Sequence, residues 1–163
     1  YNLAHIAIPE SVIKIGVGAF FDCYNLQEVI LPPRLESLGR QAFSGCRNLK
    51  SVDLNGYTVL PEYVFAHATE LAEIKGSENL HEIGENAFMC CHNLNITLSP
   101  SLKKIAKYAF LDFWNPINFT GTVAEWHAIE KDRYWVAYLF KSYTIKKIVC
   151  TDGNINLAPL PKK

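Results

Sequence analysis

The chain has 163 residues, 49% of them hydrophobic, and its sixteen basic side chains balance its sixteen acidic ones. No Lys/Arg run exceeds two, so the long-range positive field that gathers phosphate or anionic lipid is missing, and nucleic acid and bare membrane are poor partners. There is no apolar run of about 18 residues, the length a membrane-spanning helix requires.

The first readable element is a strand at residues 5–8, inside the opening YNLAHIAIP, which aligns with YNLQEVILP at residues 24–32. The sequence is therefore expected to start in the middle of a repeat and to be a fragment of a longer protein. Residues 8–31, IPESVIKIGVGAFFDCYNLQEVIL, form the unit that the rest of the chain rewrites. Phenylalanines recur at Phe20, Phe43, Phe65, Phe88 and Phe110, with spacings of 23, 22, 23 and 22 residues. Two further ladders keep phase with them, Ile15, Leu38, Leu60, Ile83, Ile105 and Leu3, Leu26, Leu49, Leu71, Leu94. A fixed period of that size implies a stacked array in which no unit buries its apolar face alone.

Within a unit, residues 27–31 alternate, with Val29 and Leu31 on one face and Glu28 and Ile30 on the other, the periodicity of a strand. Counterparts at 5–8, 50–54, 72–76, 95–98 and 117–119 predict one parallel sheet. Pro32 and Pro33 end the strand, Leu35 and Leu38 mark a second short extended run, and Gly39 is read as permitting a sharp turn. The spacing of Ala42, Phe43 and Cys46 predicts a single α- or 3₁₀-helical turn over 40–46 on the outer side. The third unit departs, with Leu60-Pro61 for Ile-Gly, Val64 for Ala, Ala68 for Cys and one residue fewer between Leu54 and Leu60.

From Thr122 the pattern stops, which divides the chain into repeats at 1–121 and a C-terminal capping segment and tail at 122–163. Thr122 and Glu125 form a capping box, so a helix is expected there, carried on by Ala124, Trp126, Ala128 and Ile129. A polar and aromatic stretch follows at 131–143, then an alternating strand at 144–151 and a turn at Asp152-Gly153, with an extended or disordered tail at 158–163.

The chemistry such a chain could carry is thin. Cys23, Cys46 and Cys91 share one repeat position and are read as an inward ladder of apolar thiols. Cys46 and Cys91 stand two coils apart, about 9–10 Å, beyond disulfide reach, whereas Cys23 and Cys46 could approach closely enough for a bridge. Cys90-Cys91-His92 offers no second CxxC pair, so no metal site is assigned, and Cys150 is unmatched. The histidines at 5, 67, 81, 92 and 127 fall at different repeat phases, without metalloprotease spacing, and no GxSxG motif occurs. Glu62 with Glu70 and Glu82 with Glu85 read as solvated corners, and the sequons at Asn95 and Asn118 as strand residues in a protein made without that glycosylation pathway. No catalytic residue and no cofactor is expected. The aromatics Phe113, Trp114, Phe119, Trp126, Tyr134, Trp135, Tyr138, Phe140 and Tyr143 read as a seal over the last coil, with an exposed carbohydrate platform as the alternative.

The string I-P-x-S-V-x-x-I-G-x-x-A-F-x-x-C-x-x-L-x-x-V-x-L-P at residues 8–32 resembles the BspA-like leucine-rich-repeat family of bacterial surface proteins. The likeness runs from Tyr1 to about Phe119, and FTGTVAEWHAIEK with the later CTDG is similar to the tail on which such arrays end. What it implies is an α/β repeat fold: a right-handed leucine-rich-repeat solenoid with a parallel sheet, short helical turns on the outer side and a C-terminal cap. It also implies a secreted or surface-attached monomer that binds a protein or surface glycan and performs no reaction, its signal and anchor lying outside this sequence. The family has no shared ligand residues to carry over. The column expected to face outward is Ala7, Ile30, Asp53, Lys75, Thr97, Asn118, with Glu28, Ser51, Glu73 and Asn95 beside it. Its variety favours binding over a bland spacer, and Glu28, Ile30, Asp53, Glu73 and Lys75 are the candidate ligand residues.

Overall fold

The computed structural model describes residues 4–136 and 147–157. Leu3, Tyr138, Phe140, Tyr143, the start of the strand expected at 144–151 and the tail at 158–163 lie outside the described residues. Along the chain the strands are β1 (Lys14–Ile15), β2 (Glu28–Ile30), β3 (Ser37–Leu38), β4 (Ser51–Asp53), β5 (Val59–Leu60), β6 (Glu73–Lys75), β7 (Glu82–Ile83), β8 (Ile96–Leu98), β9 (Lys104–Ile105), β10 (Ile117–Phe119), β11 (Glu130–Lys131), β12 (Lys147–Cys150) and β13 (Gly153–Asn156). One α-helix, α1 (Val123–Ala128), and one 3₁₀ turn, Ser77–Asn79, complete the described elements.

These strands sort into two columns, so that the chain winds as a parallel-sheet solenoid of about five turns. One column holds β2-β4-β6 and β8-β10-β12, the other β1-β3 and β5-β7-β9-β11, and every pairing between coils is parallel. The reason is the repeat itself: identical apolar residues return to the same face one strand spacing on, so Val29, Val52 and Ile74 stack beneath the first column. Both columns continue beyond residue 121, through β11 and β12.

Each column breaks once, and a side chain spans each break. Where the third unit is one residue short, Asn55 and Gly56 take positive φ, and β3 and β5 do not pair. There the Tyr57 hydroxyl accepts the Leu38 N–H at 3.1 Å. Between β6 and β8 only the bridge Glu73–Asn95 remains, because the chain turns at Gly76 (φ 83°) into the 3₁₀ turn. The Ser77 hydroxyl donates to the Thr97 carbonyl at 2.8 Å across that gap.

The third side of each coil corrects the expected helix. Over residues 16–23, alternate N–H groups close tight turns back onto the carbonyls of Gly16, Gly18 and Phe20, while those of Gly18, Phe20 and Asp22 donate to Arg40, Ala42 and Ser44 of the next coil at 2.8–3.0 Å. The same inter-coil ladder recurs from Gln41, Phe43 and Gly45, from Tyr63, Phe65 and His67, and from Asn86, Phe88 and Cys90. Two residues per coil must enter the left-handed region to aim those donors sideways: Gly18, Gln41, Tyr63, Asn86 and Tyr108 in one series, Asp22, Gly45, His67, Cys90 and Asp112 in the other. A helical turn of either kind keeps its residues at negative φ, so the regular alternation of left-handed residues with sideways donors excludes it.

Gly39 is likewise required for another reason than a sharp turn. A Cβ there would lie 2.4 Å from Gly16 C and Val17 N, so the glycine lets two coils approach, and a Cβ on Gly84 would likewise lie 2.6 Å from the Leu60 carbonyl oxygen.

Inside, Phe20, Phe43, Phe65 and Phe88 stack nearly parallel with centroids 5.1–6.1 Å apart, and Phe110 tilts by 31° against Phe88. The stack ends where Trp135 meets Phe110 edge-on at 5.9 Å, with Trp126 set against both Phe119 and Trp135. Helix α1 places Trp126 there. Thr122 Oγ1 accepts the Glu125 N–H and Glu125 Oε2 accepts the Thr122 N–H, the expected capping box. Lys131 Nζ closes the other end on the carbonyls of Trp126 and Ile129. The expected turn at 152–153 falls one residue earlier: Thr151 and Asp152 form it, and Gly153 opens β13, which pairs antiparallel with β12.

Candidate functional site

Register fixes the outward row of the first column. Ile30, Asp53 and Lys75 are mutual partners across β2, β4 and β6, as are Glu28, Ser51 and Glu73. Alternation buries Val29, Val52 and Ile74, and sends their neighbours to solvent. Ile30 is 54% exposed, Glu28, Glu73 and Lys75 are exposed, and Asp53 is half-buried. Asp53 Oδ1 accepts the Asn55 N–H at 2.9 Å, so this carboxylate also holds the turn after β4. Thr97 and Asn118 pair in the same way further along. The structure thus brings the five candidate residues onto one surface, a strip with an apolar end and mixed charge.

The thiols that the sequence put in one column are buried and unbridged. Cys46 donates its S–H to the Phe20 carbonyl at 3.1 Å and Cys91 to the Phe65 carbonyl at 3.2 Å, each reaching the preceding coil. Burial raises the Cys46 thiol from 9.0 to about 12 and pushes Cys91 up as well. The expected seal is largely buried: Phe113, Phe119, Trp126 and Trp135 are covered and Tyr134 is half-buried, while Trp114 is 42% exposed.

One constellation was not assembled from sequence. Cys90, His92 and Asp112 bring Sγ, Nε2 and an Asp112 carboxylate oxygen within 4.8 Å of one another. His92 Nε2 and Asp112 Oδ2 are 3.2 Å apart, and Cys90 Sγ lies 3.9 Å from the same oxygen. Trp114 Nε1 donates to the other oxygen, Oδ1, at 3.3 Å, and its ring stacks on His92 with centroids 4.1 Å apart. Burial, then the Asp112 carboxylate, raises the Cys90 thiol to about 11. Reading Cys90, Cys91 and His92 as neighbours in sequence omitted Asp112, which lies on the next coil. The signal was in the repeat: Asp112 occupies the phase of Cys90, and Trp114 that of His92.

A model of the BspA type leucine rich repeat region matches residues 1–115 in six copies. The chain belongs to the BspA-type leucine-rich-repeat family. Among solved structures, this BspA-type chain is similar to a leucine rich cell surface protein of Faecalibacterium prausnitzii, with 31% identity over 80% of this chain and 36% of that one and a TM-score of 0.71. It is also similar to the Treponema pallidum leucine rich repeat protein, with 30% identity over 56% of this chain and 44% of that one and a TM-score of 0.52. A leucine-rich repeat protein of Bacteroides ovatus shares the fold, with 21% identity over 85% and 43% of the two chains and a TM-score of 0.62. The chain spans less than half the length of each of these proteins. No curated protein sequence matches it. Among the described residues no helix is long and apolar enough to cross a membrane.

Proposed function

We propose that this chain is a non-enzymatic interaction module of a bacterial cell-surface protein, binding a protein or other surface ligand through the outward face of β2, β4 and β6. The observation that carries this reading is the register row Ile30, Asp53, Lys75, flanked by Glu28 and Glu73: a large apolar side chain held 54% exposed beside unlike charges on a rigid sheet. Apolar anchors ringed by polar groups are what interfaces use, and a spacer has no need of them. The cell-surface setting rests on the likeness to the F. prausnitzii cell surface protein. The solenoid is taken as right-handed, the segment at 122–163 as its cap, and the chain as a monomer. The spacer reading remains as the second, favoured by the bare Thr97 and Asn118 end of the same row. A carbohydrate-binding cap draws less support, because most of the described C-terminal aromatics are buried.

The test is a screen of the protein against host proteins and glycans, repeated with Ile30→Ala combined with Lys75→Ala. Asp53 is spared because its carboxylate also holds the Asn55 N–H. Binding should fall at least about tenfold while stability moves by no more than about 0.5 kcal/mol, as exposed substitutions do. A ligand bound equally by the variant places the site elsewhere.

A further inference from the structure

The cluster of Cys90, His92 and Asp112 uses neither the row on the sheet nor the stacked core. Its three side chains are of the types that bind borderline divalent cations, a thiol, an imidazole and a carboxylate, and their donor atoms lie within 4.8 Å of one another. We propose that these three residues form a Zn2+ site that staples two neighbouring coils, with a fourth position open to water or to a donor from a partner.

Distance supports the assignment. A tetrahedral zinc with ordinary bond lengths holds N and O about 3.4 Å apart and S and O about 3.6 Å apart. The corresponding pairs here are 3.2 Å and 3.9 Å, and the Cys90 sulfur lies within 4.8 Å of the imidazole donor, all near the separations an ion would impose. Charge also balances, since a thiolate and a carboxylate together neutralise a divalent cation around a neutral imidazole.

The supporting groups are already in place. Metal-binding carboxylates and imidazoles are normally oriented by a second set of partners. Here Trp114 holds Asp112 Oδ1 and leaves Oδ2 aimed at His92, while its ring fixes the plane of the imidazole. Asn115 Nδ2 donates to the carbonyls of His92 and Leu94, which ties the two coils together beneath the cluster. Backbone geometry is shared too: Cys90 and Asp112 both sit at the left-handed position of the inter-coil ladder, φ 61° and 54°. That column otherwise carries Asp22, Gly45 and His67, and Asp and Gly suit a left-handed backbone as Cys does not. The side chains of His92 and Asp112 are 24% and 14% exposed, so an ion has a way in.

The test uses the purified 163-residue chain with Co2+ and then Zn2+ alone as probes. One equivalent of Co2+ should produce a thiolate-to-cobalt charge-transfer band, which one equivalent of Zn2+ abolishes, and Zn2+ should raise the melting temperature. Cys90→Ser should remove the band, and Asp112→Asn should weaken Zn2+ by at least about tenfold, the loss typical when an oriented ligand set is disturbed. Cys150→Ser should change neither. A band that survives Cys90→Ser, a Zn2+ affinity untouched by Asp112→Asn, or the lack of a one-to-one complex overturns the proposal. The melting temperature without metal shows that each variant is folded.

Discussion

Cys46 shows how much a single position can hold. Its S–H satisfies the carbonyl of Phe20 on the coil before, and burial keeps it protonated up to about 12. In the unfolded chain the thiol ionises near 9.0, so above that pH the unfolded state holds fewer protons than the native one. Stability should then fall as pH rises from 9.0 toward about 12, by roughly 1 kcal/mol per pH unit for this thiol. Cys46→Ala, the residue that stands at Ala68 in the third unit, should flatten the urea midpoint against pH relative to the wild type; parallel slopes would mean that the thiol is not shielded. Gly39 makes a second residue-scale prediction. Its replacement by Ala drives a Cβ into the backbone of Gly16 and Val17, which cannot yield, at a cost of about 1–3 kcal/mol. Gly16→Ala meets nothing within 4 Å and serves as the control in the same denaturant titration. Equal losses in the two variants would refute close approach as the reason for glycine.

At the scale of elements, what was legible in the sequence was whatever repeats with its own kind. The phenylalanine and leucine ladders and the strands of β2, β4, β6, β8 and β10 follow from periods of 23 and 22 residues. The capping box of α1 was legible because its signal is local. The turn over 40–46 was not, since Ala42, Phe43 and Cys46 fall inward at a spacing that a helix and a chain of tight turns share. What separates them is where the N–H groups point, which depends on the neighbouring coil. The candidate row was legible for the same reason as the strands, while the Cys90, His92 and Asp112 cluster needed two coils to be laid side by side. Gln41 tests the turn directly. Its φ of 59° suits Asn better, and Asn86 fills the same position two coils on. Gln41→Asn should therefore add roughly 0.5–1 kcal/mol, read from the urea midpoint, and Gln41→Val should lose at least as much. A gain from Val would contradict the left-handed assignment.

The whole molecule is one stack, and its weak points are its ends. Each coil touches only its neighbours, so stability is a sum of units and interfaces. Phe110 is covered by Trp135, and Trp126 bridges Phe119 to Trp135. Trp135→Ala should cost about 3–5 kcal/mol and expose the last ring of the stack, with aggregation following in light scattering. A variant as stable and as soluble as the wild type would make the C-terminal segment a separate body. The same stacking makes the sheet a rigid ruler, holding Ile30, Asp53 and Lys75 one strand spacing apart. Surface binding through that row is tested by residue-level footprinting of the protein in complex with its ligand. Amine and carboxyl labelling read by mass spectrometry should show Lys75, Glu28 and Glu73 protected by the ligand, with Lys104 and Glu82 on the other column labelled as before. Protection of Lys104 and Glu82, with Lys75, Glu28 and Glu73 still labelled, would contradict it.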